Sequence, residues 1–478
     1  MNGITDMSLC ELVAALDGKR LSATEATRAC LDRIKATEKL NNFITVCEDE
    51  ALEAAAAADA RRGKGERGGL LGVPIAVKDN ISTRGVRTTC ASEFLEGYVP
   101  PFDATVVEKL KAAGAVIVGK TNMDEFAMGS TNENSYFGAA HNASDEARVT
   151  GGSSGGSANA VAARQVFAAL GSDTGGSIRQ PASYCGVVGL KPTYSAVSRY
   201  GLVAFASSLD QIGPFARTSG DALVLLRAIA GKDGKDSTST DRLSLPEKLS
   251  GAVKGRTFGV SDELLVGASA EVKAAFERAI SALEKSGAAI KKVKLGSVDA
   301  ALAVYYVISS AEAASNLARF DGVKYGKRAA GYRDIAELYT KSRTEFFGDE
   351  VKRRIMIGNY VLSSGYYDAY YLKASKIRTV IKREFDAALG SCDAVLCPTA
   401  PTVAPRIGAQ VDPAATYLSD VYTVPVNIAG LPAVSVPVGV SSDGMPIGLQ
   451  AIGGAFDDGK LLDIASAIEK ISEVRGNA

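Results

Sequence analysis

The sequence predicts an α/β fold, in which helical and strand patterns alternate along one long chain. Ser8 with Glu11 and Ser22 with Glu25 have the spacing of capping boxes, and helical apolar periodicity follows each pair. Short apolar runs typical of buried strands follow helical patterns in the middle and toward the end of the chain. Helices that alternate with strands in this way usually cover a central sheet.

The helical N-terminus is followed by an apolar run within residues 71–78, which predicts a strand that ends abruptly in polar residues. Helical periodicity before Gly114 leads to a strand at 115–119, and a helix at 158–163 precedes a strand at 166–170. Further strands and a final helix are predicted nearer the C-terminus, at 393–397, 433–437, 446–452 and 460–472.

The chain is long enough to bury a large core. It has 478 residues, 46% of them hydrophobic, and although about 150 residues per domain would give three domains, no linker divides it. We therefore predict one domain, with N-terminal helices at about 1–65, a catalytic core at about 66–262 and 391–478, and a mostly helical insertion at about 263–390. Because 54 Lys and Arg residues balance 54 Asp and Glu residues, the chain has no net electrostatic footprint for nucleic acid.

The cysteines and the N-terminal residues indicate an intracellular protein. The first residues lack a basic and then apolar leader pattern, and no apolar run of about 18 residues follows. The cysteines are scattered without zinc-ligand spacing, which favours reduced thiols, at Cys10, Cys30, Cys47, Cys90, Cys185, Cys392 and Cys397. We expect a soluble, cytoplasmic protein that holds no metal.

Two segments rich in glycine and serine, at 151–157 and 173–179, carry the clearest functional signal. The first begins like a phosphate-binding loop, but Ser157 and Ala158 stand where that loop needs lysine and a hydroxyl residue. It also fits the nucleophile elbow of α/β-hydrolases, which needs a histidine downstream of the serine. The chain has a single histidine, His141, which lies upstream, so that interpretation fails.

The chain order of His141, Asp173 and Ser177 imitates a chymotrypsin-like triad. That chemistry belongs to β-barrels, whereas this chain alternates helices and strands. Serine chemistry with a lysine base remains. Lys78 ends an apolar run, where burial would lower its pKa from about 10.4 and make it basic near neutral pH. The simpler alternative is a lysine at a strand end that extends to water.

Three parts of the sequence together resemble the amidase signature family, which uses a Ser-Ser-Lys triad. They are Lys78, the Gly-Gly-Ser-Ser-Gly-Gly run that contains Ser153, and the Asp-Thr-Gly-Gly-Ser-Ile-Arg-Gln-Pro run that contains Ser177. The spacings of 75 and 24 residues between the three also agree with the family. The resemblance implies a mixed central sheet of about eleven strands, covered by helices on both faces.

The resemblance also assigns roles. Ser177 is implied to be the nucleophile, Ser153 a proton relay on a cis peptide bond, and Lys78 the base. An oxyanion hole is implied for a run of backbone N–H groups, those of Thr174, Gly175, Gly176 and Ser177. The other serines nearby are interpreted as loop and helix-cap serines, namely Ser154, Ser157 and Ser172.

Motifs at 124–135, 197–211 and 315–322 resemble one branch of that family, the glutamine-hydrolysing subunits of tRNA-dependent amidotransferases. Members of this branch release ammonia for a partner enzyme that amidates glutamate on misacylated tRNA. The resemblance implies B and C partner subunits in a heterotrimer and no cofactor in this chain. ATP and magnesium are expected at the partner subunit, which would also make most of the contacts with tRNA.

The same resemblance implies a glutamine pocket. Arg354 would bind the α-carboxylate through its guanidinium fork, Asp420 would bind the α-ammonium, and Tyr305 would add a hydroxyl. Tyr306 and Arg353 are close enough in sequence to take the places of Tyr305 and Arg354.

Two other function classes stay open. One is a stand-alone amidase that acts on another small primary amide and has no need of the charged pocket residues. The other is a structural subunit without activity, against which the intact triad argues. Departures from the family's usual pattern concern loop geometry rather than the triad, and they lie at Thr150, Ser195 and Ala196.

Overall fold

The computed structural model describes residues 3–409 and 412–472. Within these residues the strands form one large sheet and one small ribbon. The strands are β1 (Phe43–Val46), β2 (Pro74–Lys78), β3 (Val116–Thr121), β4 (His141–Asn142), β5 (Asp145–Val149), β6 (Ala168–Asp173), β7 (Val188–Lys191), β8 (Gln211–Ala216), β9 (Thr257–Val260), β10 (Ala289–Lys292), β11 (Ala394–Pro398), β12 (Ala433–Val440) and β13 (Pro446–Ile452).

The large sheet is mixed and has eleven strands within the described residues, in the order β1-β3-β2-β6-β8-β7-β12-β13-β11-β9-β10. β2 lies between β3 and β6 and runs parallel to both. The pairs from β6 across to β11 are antiparallel, and β9 then pairs in parallel with β11 and β10. The expected α/β fold with a mixed sheet of about eleven strands is confirmed.

Helices cover both faces of this sheet. The α-helices are α1 (Leu9–Asp17), α2 (Ala23–Ala36), α3 (Glu48–Gly63), α4 (Thr105–Ala112), α5 (Gly155–Ala162), α6 (Arg179–Cys185), α7 (Ser219–Ile229), α8 (Ala270–Lys285), α9 (Ala301–Leu317), α10 (Ile335–Phe346), α11 (Asp349–Leu362), α12 (Lys373–Leu389), α13 (Pro413–Tyr417), α14 (Val424–Ala429) and α15 (Asp458–Ile471). Short 3-10 helices lie at Ile4–Asp6, Glu38–Leu40, Glu93–Leu95, Glu125–Ala127, Glu263–Leu265, Val298–Ala300 and Leu418–Asp420, and a π-helix lies at Tyr367–Leu372.

Strand β11 shows why two hydrophobic cores form. Ala394 and Leu396 pack into the core under the N-terminal helices, α7 and α15, whereas Val395 and Cys397 pack into the core under α9, α11 and α12. Successive side chains of a strand point to opposite faces, so an entirely apolar run has to be covered on both sides. The sheet is therefore the middle layer of three.

The elements predicted from patterning are present, with ends shifted by at most three residues, and the strand predicted at 446–452 has the predicted bounds. Both capping boxes form, with Glu11 N donating to Ser8 Oγ and Glu25 N to Ser22 Oγ, each at 3.1 Å. The strand predicted at 166–170 is β6, which begins two residues later at Ala168. Within 263–390, the helices are accompanied by β10, which lies at the edge of the sheet.

The candidate site lies at the carboxyl ends of β2 and β6. Val77 of β2 lies opposite Leu170 of β6 in a parallel pair, so the residues that follow both strands emerge at the same edge of the sheet. In open α/β sheets this edge is where ligands usually bind. Lys78 and Asp173 end these two strands.

Candidate active site

Lys78 is fully buried at the end of β2 and contacts two serine hydroxyls. Its Nζ lies 2.8 Å from Ser153 Oγ and 2.9 Å from Ser172 Oγ, and Asn80 Nδ2 donates to the same Ser172 oxygen at 2.9 Å. Lys78 therefore does not extend to water. Its nitrogen is directed at the first glycine-serine segment, as a base for Ser153 would be.

Burial lowers the pKa of Lys78 to about 7, while the negative charges of Asp124, Asp173 and Asp210 oppose that shift. At neutral pH a large fraction of the amine is therefore uncharged and able to accept a proton. Burial also lowers the pKa of Lys191 to about 7, but Lys191 Nζ donates to the Pro192 carbonyl oxygen at 2.9 Å. The contact with Ser153, rather than the pKa, distinguishes Lys78.

Ser153 is held by its backbone as well as by Lys78. The Gly152–Ser153 peptide bond is cis, and Asp124 N donates to the Ser153 carbonyl oxygen at 3.2 Å. A β-carbon built on Gly152 would come within 1.9 Å of Asp124 Oδ2, so residue 152 has to be glycine while Asp124 lies there. The Asp124 carboxylate is itself fixed by the backbone N–H groups of Asn132 and Asn134 at 3.0 and 3.2 Å.

Ser177 lies in the turn between β6 and α6, beside the segment that contains Ser153. Ser154 N donates to the Ser177 carbonyl oxygen at 3.2 Å, which joins the two glycine-serine segments. Ser177 is 8% exposed, whereas Ser153 and Lys78 are 0% exposed. Of these three residues, which we call the triad centre, Ser177 is the one that a substrate can reach.

An ion pair beneath the turn shapes it. Asp173 accepts hydrogen bonds from the Gly176 and Ile178 N–H groups at 2.9 and 3.1 Å and pairs with Arg179 through two contacts of 3.0 Å. Burial alone would raise the pKa of Asp173, but the Arg179 guanidinium holds it at about 2. The carboxylate stays ionised and structural, and His141 is not among its partners.

The backbone N–H groups of this turn are partly free. Gly176 N already donates to Asp173, whereas the N–H groups of Thr174, Gly175 and Ser177 have no acceptor among residues 3–409 and 412–472. Gly176 has a φ of 139° and a β-carbon there would come within 2.2 Å of Thr423 Oγ1, so the turn requires glycine at this point. Of the four N–H groups expected to form the oxyanion hole, three remain available to a ligand.

Arg354 lies buried on α11 and is oriented from three sides. Its Nε donates to Glu350 Oε1 at 2.6 Å, and its guanidinium carbon lies 4.3 Å from the Tyr306 ring centroid and 5.0 Å from that of Tyr417. Arg354 Nη1 is buried without a hydrogen-bond partner in the described part of the chain. The neighbouring Arg353 has a 41% exposed side chain, so Arg354 is the buried one of the two arginines.

Asp420 carries the complementary unmet acceptor. Its Oδ2 accepts a hydrogen bond from Ser130 Oγ, while Oδ1 is buried and has no partner in the residues that the structure describes. Burial raises the pKa of Asp420 to about 7, and the Arg354 charge opposes that rise. A bound cationic group would satisfy Oδ1 and favour the ionised form.

Tyr305 links this pocket to the turn that contains Ser177. A β-carbon built on Gly175 would come within 2.6 Å of the Tyr305 ring, so the ring lies directly on the candidate oxyanion turn. Tyr306 instead stacks on Tyr417, with ring centroids 4.1 Å apart. We call Tyr305, Arg354 and Asp420 the charged pocket.

His141 lies in the β4–β5 ribbon, where its Nδ1 is 2.8 Å from the Glu146 carbonyl oxygen. Neither Asp173 nor Ser177 is hydrogen-bonded to this ring within the described residues. The chymotrypsin-like arrangement suggested by the order of the three residues is therefore absent from the described structure.

Some residues of the site were not found from the sequence. Ser172 contacts Lys78 directly, whereas the sequence predicts a loop or cap serine, and the pairing of β2 with β6 brings it there. Ser154 stands at the N-cap of α5 but its Oγ donates to the Ser172 carbonyl oxygen and makes no cap. Ser157 Oγ likewise donates to the Leu170 carbonyl oxygen, 3.0 Å away.

Glu125 is a further residue that patterning missed. It is 4% exposed, and its carboxylate accepts hydrogen bonds from Ser92 Oγ and, at 2.8 Å, from Gly348 N. Gly348 is the N-cap of α11, which carries Arg354. The turn at 124–127 therefore contacts Ser153 through Asp124 and the pocket helix through Glu125. Phe126 and Ala127 in this turn have φ angles of 47° and 63°, in the left-handed region.

Of the three departures from the family's usual pattern, Thr150 and Ala196 fit the backbone locally, whereas Ser195 takes a left-handed conformation. Thr150 Oγ1 donates to the Gly151 carbonyl oxygen at 3.0 Å. Ser195 has a φ of 82°, a conformation that favours glycine, and its N–H donates to Gln211 Oε1 at 2.9 Å. Ala196 is fully buried.

Three chemical features can be stated for residues 3–409 and 412–472. None of their helices is both long and apolar enough to span a bilayer. No group of three or more His, Cys, Asp or Glu side chains in these ranges is arranged to hold a metal ion. All seven cysteines are free thiols.

Comparisons with known proteins identify one family. A family model described as Amidase matches residues 25–462. The A subunit of glutamyl-tRNA(Gln) amidotransferase from Thermosynechococcus vestitus is 56% identical over 467 residues, 96% of this chain and 97% of that protein. The protein of the same name from Caldanaerobacter subterraneus subsp. tengcongensis is 54% identical over 469 residues, 97% of this chain and 96% of that protein. A crystal structure of the corresponding glutamyl-tRNA(Gln) amidotransferase protein from Thermotoga maritima has a TM-score of 0.82 and 45% identity, covering 99% of this chain and 96% of that chain.

Proposed function

This chain belongs to the amidase family, and we propose that it is the glutaminase subunit of a glutamyl-tRNA(Gln) amidotransferase. In this role it hydrolyses glutamine to glutamate and releases ammonia for a partner subunit. Relatives that bear the name of that protein match nearly the full length of this chain, which supports the proposal.

The first half of the reaction forms an acyl-enzyme. The uncharged Lys78 amine accepts the hydroxyl proton of Ser153 as Ser153 Oγ accepts that of Ser177, and Ser177 Oγ attacks the side-chain amide carbon of glutamine. The free N–H groups beside Ser177 stabilise the oxyanion that develops on the amide oxygen. The carbon–nitrogen bond then breaks, the proton returns through Ser153 to the leaving nitrogen, and ammonia departs from a glutamyl ester on Ser177.

The second half releases glutamate. Water attacks the ester carbon, its proton passes to the same relay, and the bond between the acyl carbon and Ser177 Oγ breaks as the serine regains its proton. The hydrogen-bonded contacts of Lys78 with Ser153 and Ser172 support this relay. Lys78 returns to its uncharged form at the end of the cycle.

The observation that carries the choice of substrate is the pair of unmet charges in the charged pocket. Arg354 Nη1 lacks an acceptor and Asp420 Oδ1 lacks a donor within the described residues, and the Tyr305 ring lies against Gly175 in the turn of Ser177. A free amino acid brings one carboxylate and one ammonium group, which would satisfy both. A simple uncharged amide would leave them unpaired.

The remaining parts of the proposal concern the assembly. We infer that B and C subunits complete a heterotrimer, that tRNA is bound mainly by the partner subunit, and that ATP and magnesium act there rather than in this chain. Such an enzyme works in the cytoplasm, where aminoacylated tRNA is present. We also propose that residues 1–478 form a single amidase domain, because one sheet joins the segments before and after the insertion.

A stand-alone amidase acting on another small primary amide is the second candidate. It would use the same triad centre, and the similarity of the fold alone does not separate the two. The charged pocket favours glutamine, since a neutral amide has no group for Arg354 or Asp420.

The test is transfer of labelled nitrogen. The full-length chain is assembled with its B and C subunits and given glutamine labelled with ¹⁵N in the side-chain amide, ATP, magnesium and Glu-tRNA(Gln). We expect ¹⁵N in the product Gln-tRNA(Gln), and none when this chain carries Ser177→Ala. Rapid hydrolysis of neutral amides without transfer from glutamine would instead establish the stand-alone amidase.

A further inference from the structure

The exposed apolar side chains of this protein are concentrated in one part of the chain. Of the eighteen large hydrophobic side chains that are exposed within the described residues, twelve lie between residues 323 and 380. Exposed apolar residues scattered singly are ordinary, but contiguous groups mark interaction sites. The exposed apolar surface of the described residues is therefore concentrated between α9 and α12.

Four tyrosines form the centre of this group. Tyr360, Tyr366, Tyr367 and Tyr370 are 49%, 42%, 44% and 42% exposed. The ring centroid of Tyr366 lies 4.4 Å from that of Tyr360 and 5.9 Å from that of Tyr370. The rings of Tyr360, Tyr366 and Tyr370 hold one another in place while they face solvent, and the Tyr367 ring packs against Tyr371, with centroids 5.2 Å apart. We call the four residues the tyrosine face.

The backbone beneath the tyrosine face is unusual. Tyr367–Leu372 is a π-helix without a buried residue, inserted between α11 and α12. π-helical turns are rare and occur frequently at functional sites. Aromatic rings exposed on an irregular helix contribute little to the stability of the isolated chain.

Rigid, exposed tyrosines are the side chains that protein interfaces favour. Tyrosine is enriched at interface centres because it buries a large area and loses little conformational entropy on binding. The mutual packing of Tyr360, Tyr366 and Tyr370 reduces that loss further, since the rings are already ordered.

Charge indicates what kind of surface would cover this face. Residues 301–389 contain 15 Lys and Arg residues against 10 Asp and Glu residues, an excess of five positive charges in a chain whose total is zero. Next to the tyrosines, Lys373 and Lys376 are exposed and have no ion pair in the described part of the chain, and they outnumber the one carboxylate among the tyrosines, Asp368, which is also exposed. An acidic surface complements such a rim.

Nucleic acid fits this surface less well than protein does. RNA-binding surfaces contact several phosphates with free cations, and affinity rests largely on those contacts. Beside the tyrosines, Arg378 is instead hydrogen-bonded to Ser208 and to the Ile428 carbonyl oxygen, which leaves the two lysines. The aromatic area dominates the face, and the charges only surround it.

We propose that the tyrosine face is a docking surface for a partner protein subunit of the amidotransferase, one that presents an apolar patch with an acidic rim. This proposal rests on the proposed function for the nature of the partner. α11 directs Arg354 inward to the charged pocket and carries Tyr360 on its exposed side. A partner seated there lies about one helix diameter, ~10 Å, from the residues that would hold glutamine.

The experiment measures assembly of the full-length chain with its B and C subunits. Tyr366→Ser combined with Tyr370→Ser should raise the Kd of the complex roughly thirtyfold or more, since loss of central aromatic anchors is the costliest change at an interface. Lys373→Glu combined with Lys376→Glu should raise the Kd about tenfold at low salt and less at high salt. The matched control is Tyr136→Ser, because Tyr136 is 49% exposed but lies outside the face.

The thermal unfolding midpoint of each isolated variant should equal that of the wild type, because the substituted side chains are exposed. Unchanged Kd values for both double variants would overturn the proposal. Normal assembly with weakened tRNA binding would also overturn it, in favour of an RNA contact. Nitrogen transfer by the wild-type complex is measured separately, so that a failure of the proposed function is distinguished from a failure of this docking surface.

Discussion

The triad centre and the charged pocket lie side by side, but they differ in how their polar groups are satisfied. Lys78 Nζ has two serine hydroxyls within 2.9 Å, whereas Arg354 Nη1 and Asp420 Oδ1 are buried without partners in the described residues. Buried polar groups that lack partners are costly unless a ligand supplies them. The contact of Lys78 with Ser153 is therefore formed before substrate arrives, whereas the pocket is left for the substrate to complete.

The largest effect is expected at the nucleophile. Ser177→Ala should abolish glutamine hydrolysis and prevent trapping of an acyl-enzyme, because Ser177 is the member of the triad centre that a substrate can reach. Mass spectrometry of the enzyme quenched during turnover checks this. An adduct on Ser153 or Ser154 would reverse the assignment.

Removal of the base should come next. Lys78→Ala should lower kcat for glutamine by about 10²–10⁴-fold, since the relay loses its proton acceptor. Steady-state kinetics measures the loss, and two controls accompany it. Lys191→Met removes a lysine that is also buried but does not contact a serine, and His141→Ala removes the histidine. A histidine variant as inactive as the lysine variant would refute the lysine mechanism.

Substitutions in the charged pocket should change KM for glutamine. Arg354→Ala or Asp420→Ala should raise KM for glutamine by about 10²–10³-fold, because a buried substrate charge left unpaired costs several kcal/mol. Hydrolysis of a neutral primary amide should change little, since that substrate has neither charge. The measurement is kcat/KM for both substrates with the partner subunits present.

Equal losses on both substrates would indicate that these variants disturb the fold rather than recognition. If glutamine were unaffected, the assignment of the pocket would be wrong and the stand-alone amidase would be favoured. Arg353→Ala is the matched control for Arg354, because it removes the neighbouring arginine whose side chain is largely outside the pocket.

The most discriminating effect is on pH dependence. Lys78 must be uncharged and Asp420 ionised, and burial sets the pKa of each at about 7. Below pH 7, kcat/KM for glutamine should therefore fall by up to about a hundredfold per pH unit, and that for a neutral amide by about tenfold. Asp420→Asn should reduce the glutamine slope to that of the neutral amide. Identical pH slopes for glutamine and the neutral amide in the wild type would show that ionisation of Asp420 has no part in glutamine recognition.

The difference between the two regions also explains what could be predicted from the sequence. The residues of the triad centre could be proposed from the sequence because Ser153 and Ser177 lie in local glycine-rich motifs that, with Lys78, resemble the amidase signature family. The contact of Ser172 with Lys78 depends on the parallel pairing of β2 with β6, which local patterning does not specify.

The charged pocket was harder to predict because its residues come from helices far apart in the chain. Adjacent residues on a helix point about 100° apart, so the choice between Arg353 and Arg354, or between Tyr305 and Tyr306, depends on how the helix is rotated against the core. That rotation is fixed by contacts such as Glu350 and Tyr417 with Arg354, which only the folded chain shows.

The turn at 124–127 connects the triad centre to the charged pocket and holds them at a set distance. Asp124 is bonded to the backbone of Ser153 and Glu125 to the N-cap of the helix that carries Arg354, so neither end can shift alone. The turn therefore holds the segment of Ser153 and the helix of Arg354, which under the proposed function would bind the α-carboxylate, at a set separation. Asparagine, shorter by one methylene, would place its amide carbon on the order of 1 Å short of Ser177, a displacement that costs roughly 10²-fold in rate. The ratio of kcat/KM for glutamine to that for asparagine would measure how strictly this distance is held.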